Sequence, residues 1–291
     1  MSSLSAWFEN LFFGGRGKTG RSIVATIIGS GGKTSLIWHL AVSLVADSAA
    51  KSAATGAVHG DGVPSRRKIL VSPTTKMFVP PGEAKLYDRY YGGGKYDDPP
   101  GTFSSDPAPG ITLVGRFNET NGKLESLPLP DLERLILACD LVLLEGDGSR
   151  GLPLKAWTPD EPVVPSFTDL TIGILPLWPL GRPARKSIIH RLPLFLALTG
   201  AEAGEPLKPE HILALVLGKG QNSGTTEPGG PSLPGLFAKA KGKKLLFFNQ
   251  IEDREALKQA EELTGLLPSA FRAGLSGIIA GSVKEDWLVE L

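Results

Sequence analysis

Ile23-Val24-Ala25-Thr26-Ile27-Ile28-Gly29-Ser30-Gly31-Gly32-Lys33-Thr34-Ser35 decides how the rest of this chain is read. A short apolar run meets a glycine-rich turn. The turn ends in Gly-Lys-Thr, and a largely apolar segment, Leu36 to Ala46, follows. Strand, glycine loop, lysine, hydroxyl residue and helix, in that order, make a phosphate-binding loop. Glycines let backbone N–H groups crowd around a phosphate, and the new helix points its positive end at the same spot. In such a loop Lys33 reaches the outer phosphates and Thr34 coordinates magnesium. Gly29, Ser30, Gly31, Gly32 and Ser35 complete the cradle. The expected ligand is therefore a nucleotide with Mg2+, either ATP or GTP. The loop is compressed to G-x-x-G-K-T, because Ile27 stands where the full motif has a glycine. The alternative is a tight strand–helix turn that binds nothing; the strand before and the helix after favour phosphate. A second Gly-Lys-Thr, at Gly17–Thr19, lacks both neighbours and reads as a flexible basic turn.

The 291 residues suffice for one large or two small domains with a substantial core. Lys plus Arg is 31 against 30 for Asp plus Glu, a net charge of +1, which gives no electrostatic argument for nucleic acid or a membrane surface. The single cysteine, Cys139, rules out an intrachain disulfide and argues against a thiolate metal site, so an intracellular, cytoplasmic location is expected. The longest apolar segment, Leu36 to Ala46, is too short to span a bilayer. The N-terminus, with Trp7, Phe8, Leu11, Phe12 and Phe13, reads as a packed or partner-facing arm over residues 1–21. Small, polar and Gly-rich Ser48–Arg67 looks like a surface insertion, and Gly92–Gly110 like a long loop.

Strand-like runs recur at Ile23–Ile28, Lys68–Ser72, Ile111–Gly115, Leu141–Glu145, Leu170–Leu175, Lys244–Asn249 and Gly277–Ala280. Most are continuous and not alternating, the pattern of strands buried on both faces. Helix candidates lie between them at Thr34–Asp47, Asp131–Ala138, Leu192–Leu198, Pro209–Leu217 and Asp253–Thr264. The expected fold is α/β: a mainly parallel sheet with flanking helices, P-loop NTPase-like, in one large domain over 22–291, with a helical segment at about 190–240. Ligands in such sheets sit at the carboxyl ends of strands.

Those ends hold the remaining candidates. Lys68–Ser72 runs into Pro73-Thr74-Thr75-Lys76, where hydroxyls and an ammonium suit a phosphate or magnesium-bound water; a plain turn explains them equally. Leu141–Leu144 ends in Glu145-Gly146-Asp147-Gly148-Ser149-Arg150-Gly151. An acidic residue directly after an apolar strand is the arrangement that holds magnesium opposite a phosphate loop. Glu145 and Asp147 are two apart and would face the same side of a continuing strand. Arg150 suits a phosphate or a carboxylate. Asn249-Gln250-Ile251-Glu252 is similar to a guanine-reading element, although Asp253 as a helix N-cap is the default there. No pair of histidines has metal-ligand spacing.

Together, Gly-Ser-Gly-Gly-Lys-Thr-Ser (29–35), Pro-Thr-Thr-Lys-Met (73–77), the block 143–156 from Leu-Leu-Glu-Gly-Asp to Leu-Lys-Ala, Glu-Pro-Val-Val-Pro (161–165), His-Arg (190–191) and Phe-Asn-Gln (248–250) resemble the YqeC-like proteins. These are accessory proteins of selenium-dependent molybdenum hydroxylases. Gly146 and Pro73 depart from the usual alanine and threonine of the family. The resemblance implies a maturation role, with a hydroxylase apoenzyme or its cofactor as partner. The expected activity is that of a magnesium-dependent NTPase using Lys33, Glu145 and Asp147. The short loop is also similar to that of Mur-type ligases, which leaves an ATP-dependent amide ligase open, and a non-catalytic nucleotide switch is the third possibility.

Overall fold

Every apolar run singled out in the sequence forms a strand in the computed structural model, which describes residues 1–14, 21–56, 66–79, 86–92, 109–219 and 233–291. The second Gly-Lys-Thr at 17–19, His59, the middle of the 48–67 segment and most of 92–110 lie outside the described residues. The strands are β1 (Ile23–Gly29), β2 (Lys68–Pro73), β3 (Gly110–Val114), β4 (Leu141–Glu145), β5 (Leu170–Pro176), β6 (Lys243–Asn249), β7 (Gly277–Ser282) and β8 (Trp287–Glu290). They belong to a 10-stranded sheet ordered Ser2–Ser3, β8, β7, β6, β5, β1, β4, β2, β3, Arg89–Tyr91. β1 to β7 run parallel; at one edge β8 is antiparallel to β7, and Ser2–Ser3 is antiparallel to β8.

β1 is buried along its whole length, because helices cover both faces of the sheet. Its side chains alternate between those faces. Ile23, Ala25 and Ile27 pack with Leu4, Phe8 and Phe12 of α1 (Leu4–Phe13) and with Leu36, Leu40 and Leu44 of α2 (Lys33–Thr55). Val24 packs on the other side against Leu132 and Leu135 of α3 (Leu129–Ile136). Ile28 joins Phe195 of α4 (Leu192–Thr199), Ile212 and Leu215 of α5 (Pro209–Leu217), and Leu263 of α6 (Arg254–Leu266). The result is a single mixed α/β domain with a large, mostly parallel sheet.

The sequence underestimates one element. α2 continues to Thr55 and absorbs the start of the segment read as a surface insertion. Ser48-Ala-Ala-Lys-Ser-Ala-Ala-Thr is small and polar, but its alanines are the best helix formers. Gly56 stops the helix in the left-handed conformation (φ 69°). Of the two forms expected for the N-terminal arm, packed or partner-facing, its described residues take the packed one. Ser2–Ser3 extend the sheet, and Phe8 of α1 is fully buried.

The chain leaves β1 toward β2 and β3, returns to lay β4 beside β1, then crosses to β5 on its other side. The carboxyl end of β1 is therefore the point where the strand order reverses, and a crevice opens there. Above one side of it stands a separate antiparallel sheet of Lys76–Phe78, Lys123–Glu125 and Arg116–Asn118.

Candidate functional site

Three positions of the loop after β1 call for glycine. Gly29, Gly31 and Gly32 have φ of 101°, 75° and 122°, which side-chain-bearing residues rarely adopt. A Cβ would also lie 2.2 Å from the Ile174 carbonyl oxygen at Gly29 and 2.4 Å from Asn249 Nδ2 at Gly32. The first half of the loop is bonded inward: the Ser30 amide donates to the Ile174 carbonyl (2.9 Å), and the Ser30 hydroxyl to the Pro153 carbonyl (2.7 Å). The second half opens α2. Its N-cap, Gly32, offers no side chain to the first amides of the helix, which have no intrahelical acceptor. Gly31 to Ser35 instead line a cavity of about 650 Å3.

At the floor of this cavity, β4 pairs with β1 so that Glu145 stands beside Ile27. Glu145 is 5% exposed, and its Oε2 accepts from the Thr34 hydroxyl at 2.7 Å. Burial raises its carboxyl above the usual range; Lys33 and the Thr34 hydrogen bond pull the other way, and Asp147 adds to the rise. Lys76, Lys123, Arg150, Phe78 and Trp178 also line the cavity.

Asp147 does not share that direction. β4 ends at Glu145, and the Gly146 amide bonds to the Ile27 carbonyl (2.8 Å) while its carbonyl accepts from Val163 (2.9 Å). The same-face expectation assumed a continuing strand, and the backbone turns instead. Asp147 enters beneath the loop, fully buried. It accepts from the Gly29 amide (3.1 and 3.3 Å) and from Trp157 Nε1 (2.6 Å), and it lies 3.5 Å from Lys33 Nζ and 3.0 Å from Lys155 Nζ. Lys33 itself is 4% exposed and folds back to donate to the Gly29 carbonyl at 2.7 Å.

This buried charge continues outward through residues whose roles are not evident from the sequence. Lys155, 0% exposed, also contacts Glu161 (3.0 Å) and the Gly148 carbonyl (2.8 Å). Arg191 forks Glu161 at 2.6 and 2.9 Å. Burial acts to raise the Glu161 carboxyl, but the Arg191 and Lys155 contacts outweigh it and hold the group at about 2. His190 is pushed down to about 4 by burial and then by Arg191, Lys155 and Arg150, so it is neutral at pH 7. The signal for this network is Lys155 in the otherwise apolar Leu154–Trp157, an ammonium that must find carboxylates if buried.

The other expected residues separate. Asn249 is buried and anchors the loop: its Nδ2 donates to the Gly31 carbonyl (2.9 Å) and its Oδ1 accepts from the Val283 amide (3.1 Å). With Gln250 and Glu252 it borders a second cavity of about 530 Å3 that shares Gly32 and Ser35 with the loop. Asp253 caps α6, accepting from the Ala256 amide (2.8 Å). Lys76 reaches the cavity and pairs with Glu125 at 2.8 Å. Thr75 does not line it; among the described residues its buried hydroxyl has no hydrogen-bond partner. Among the described residues no three His, Cys, Asp or Glu side chains converge to hold a metal by themselves. No helix among them is long and apolar enough to cross a membrane.

A family model described as YqeC protein matches residues 60–193, the span carrying Thr75, Lys76, Glu145, Asp147, Lys155, Glu161 and Arg191. An uncharacterized protein YqeC of Escherichia coli (strain K12) is 28% identical over 207 residues, covering 67% of this chain and 68% of the relative. Over these spans the chain is similar to YqeC proteins. No solved structure matches it. The glycine loop at 29–35 precedes the span matched by the family model, while the three segments joined by the Asp147–Lys155–Glu161–Arg191 network all fall within it.

Proposed function

We propose that this YqeC-like chain is a magnesium-dependent nucleotide-binding protein with a P-loop NTPase-like fold, and that its reaction is nucleotide hydrolysis. The observation that carries the proposal is the joint placement of the uncapped N-terminus of α2, Lys33, and the Thr34–Glu145 pair at one cavity. The α2 amides offer donors and a positive dipole to phosphate oxygens. Thr34 and Glu145 offer hard oxygen ligands, and they suit Mg2+, which takes one or two protein oxygens and fills its shell with phosphate and water. When bound, the ion neutralises phosphate charge. Glu145 holds a proton more tightly than an ordinary carboxyl, and a cation bound beside it would favour its ionised form. Lys33 must leave the Gly29 carbonyl to reach a phosphate, while Asp147 keeps hold of the Gly29 amide and so of the loop. Arg150 stands at the cavity wall as a further anion contact. The second cavity, beside Asn249 and Glu252, is the space available to the nucleoside.

The resemblance to accessory proteins of selenium-dependent molybdenum hydroxylases supplies the cellular role in this proposal: nucleotide use coupled to maturation of such an enzyme. Calorimetry with Mg-ATP and Mg-GTP tests the site. Saturable binding that is lost in Lys33→Ala is expected; binding of neither nucleotide, or equal binding by the variant, overturns it. Capture of a hydroxylase apoenzyme that depends on nucleotide tests the role, and capture unaffected by nucleotide counts against it.

A further inference from the structure

The cavity has a wall that the nucleotide reading does not use. The small antiparallel sheet aligns Lys76 with Glu125 and Arg116, Met77 with Leu124 and Phe117, and Phe78 with Lys123 and Asn118. Met77 and Leu124 are fully buried, so the alternation of a strand puts Lys76, Phe78 and Lys123 on the opposite face, and all three line the cavity. Phe78 is 58% exposed there, an apolar ring held at the mouth of a polar site. Arg150 comes from the loop after β4, at φ 55°. Among the described residues, the charged side chains lining the cavity are thus Lys33, Lys76, Lys123 and Arg150, with Glu145 as the sole carboxylate. Lys33 is already engaged by Asp147, and Lys76 by Glu125. Among the described residues neither Lys123 nor Arg150 has an ion-pair partner.

A phosphate loop with its lysine and a magnesium ion already balances most of the charge of a nucleoside triphosphate. Two further cations across the same cavity, unpaired among the described residues and one of them on a separate sheet beside an exposed aromatic ring, exceed that need. We infer that the cavity holds a second, oxyanion-bearing small molecule beside the nucleotide, seated between Lys123 and Arg150 against Phe78. The inference rests on the nucleotide reading for the word "second", but the oxyanion seat stands on its own residues. The molecule carries a phosphate or a carboxylate, since both present oxygens to Lys and Arg in the same way.

The experiment titrates inorganic phosphate, and in parallel malonate, into the protein saturated with Mg2+ and a non-hydrolysable ATP analogue. Wild type should bind at least one of them with the nucleotide still in place, and Lys123→Ala should weaken that binding by about tenfold. The stronger of the two probes identifies the oxyanion. Binding of neither, displacement of the analogue by both, or affinity unchanged in Lys123→Ala overturns the inference. If the analogue itself does not bind, the nucleotide reading fails separately. The same titrations are then run on Lys33→Ala without nucleotide, and a Lys123-dependent affinity there still supports the oxyanion seat, while its absence rejects it.

Discussion

Replacing Asp147 by asparagine removes one negative charge from the centre of the buried network while keeping the size of the side chain. Asp147 and Lys155 are both 0% exposed and 3.0 Å apart. Four donors converge on two carboxylate oxygens: the Gly29 amide, Trp157, Lys155 and, at 3.5 Å, Lys33. An asparagine keeps one acceptor and turns an NH2 toward donors. Breaking a buried ion pair from one side costs about 3–5 kcal/mol. Glu161 still lies 3.0 Å from Lys155 and compensates it in part, which places the expected loss near the lower end, about 3 kcal/mol. In a chain of this size that corresponds to a fall in Tm of roughly 6 °C. Thermal and urea unfolding followed by circular dichroism at pH 7 would measure it. Lys155→Met and the double variant complete a cycle, in which the double variant should lose about 1–3 kcal/mol less than the sum of the singles. A loss below about 0.5 kcal/mol, or strict additivity, would refute the buried-network account. A cation-ligand role for Asp147 makes the opposite forecast, with unchanged stability of the metal-free protein and weakened Mg2+ binding.

Glu145→Gln should leave stability at pH 7 equal or higher. A carboxyl whose folded pKa is raised stabilises the fold below its unfolded value and loses that contribution as pH rises through the folded one. The same variant should bind Mg-nucleotide at least about tenfold more weakly, and unimpaired binding by calorimetry would remove Glu145 from the site. Glu161 behaves the other way: with a folded pKa of about 2 against an ordinary 4.5, its contribution is complete above 4.5 and lost as pH falls toward 2. Urea midpoints across that window should fall more steeply in wild type than in Glu161→Gln; parallel curves would contradict the Arg191–Lys155 clamp. Gly32→Ala forces a methyl into a left-handed backbone position against Asn249, with an expected loss of about 2 kcal/mol and of nucleotide binding, and a wild-type urea midpoint would show that the loop is not held as described.

Much of the sheet is legible in the sequence because strands buried on both faces read as unbroken apolar runs, and Leu141–Glu145 is both run and strand without a change of boundary. The extent of α2 is not, since alanines and serines after Asp47 carry helix propensity but no apolar stripe to announce it. Glu145 at the end of β4 is readable from position alone. Asp147 is not, because its direction depends on whether the strand continues, and the turn at Gly146 is fixed by Ile27 and Val163, far away in sequence. Lys155, Glu161 and Arg191 stand in separate segments, and only the fold brings them to one point.

The pairing of Ser2–Ser3 with Trp287–Leu288 bears on how the molecule assembles. Asp286 ties the same corner, accepting from the Ser5 amide at 2.9 Å and contacting His39 of α2 at 2.8 Å. These contacts join residues separated by nearly the whole chain, and closing so long a loop carries the largest entropy cost in the fold. They are therefore the ones expected to form last. Until they do, β8 presents an unpaired hydrogen-bonding edge, the kind of surface on which one partly folded copy can recruit another.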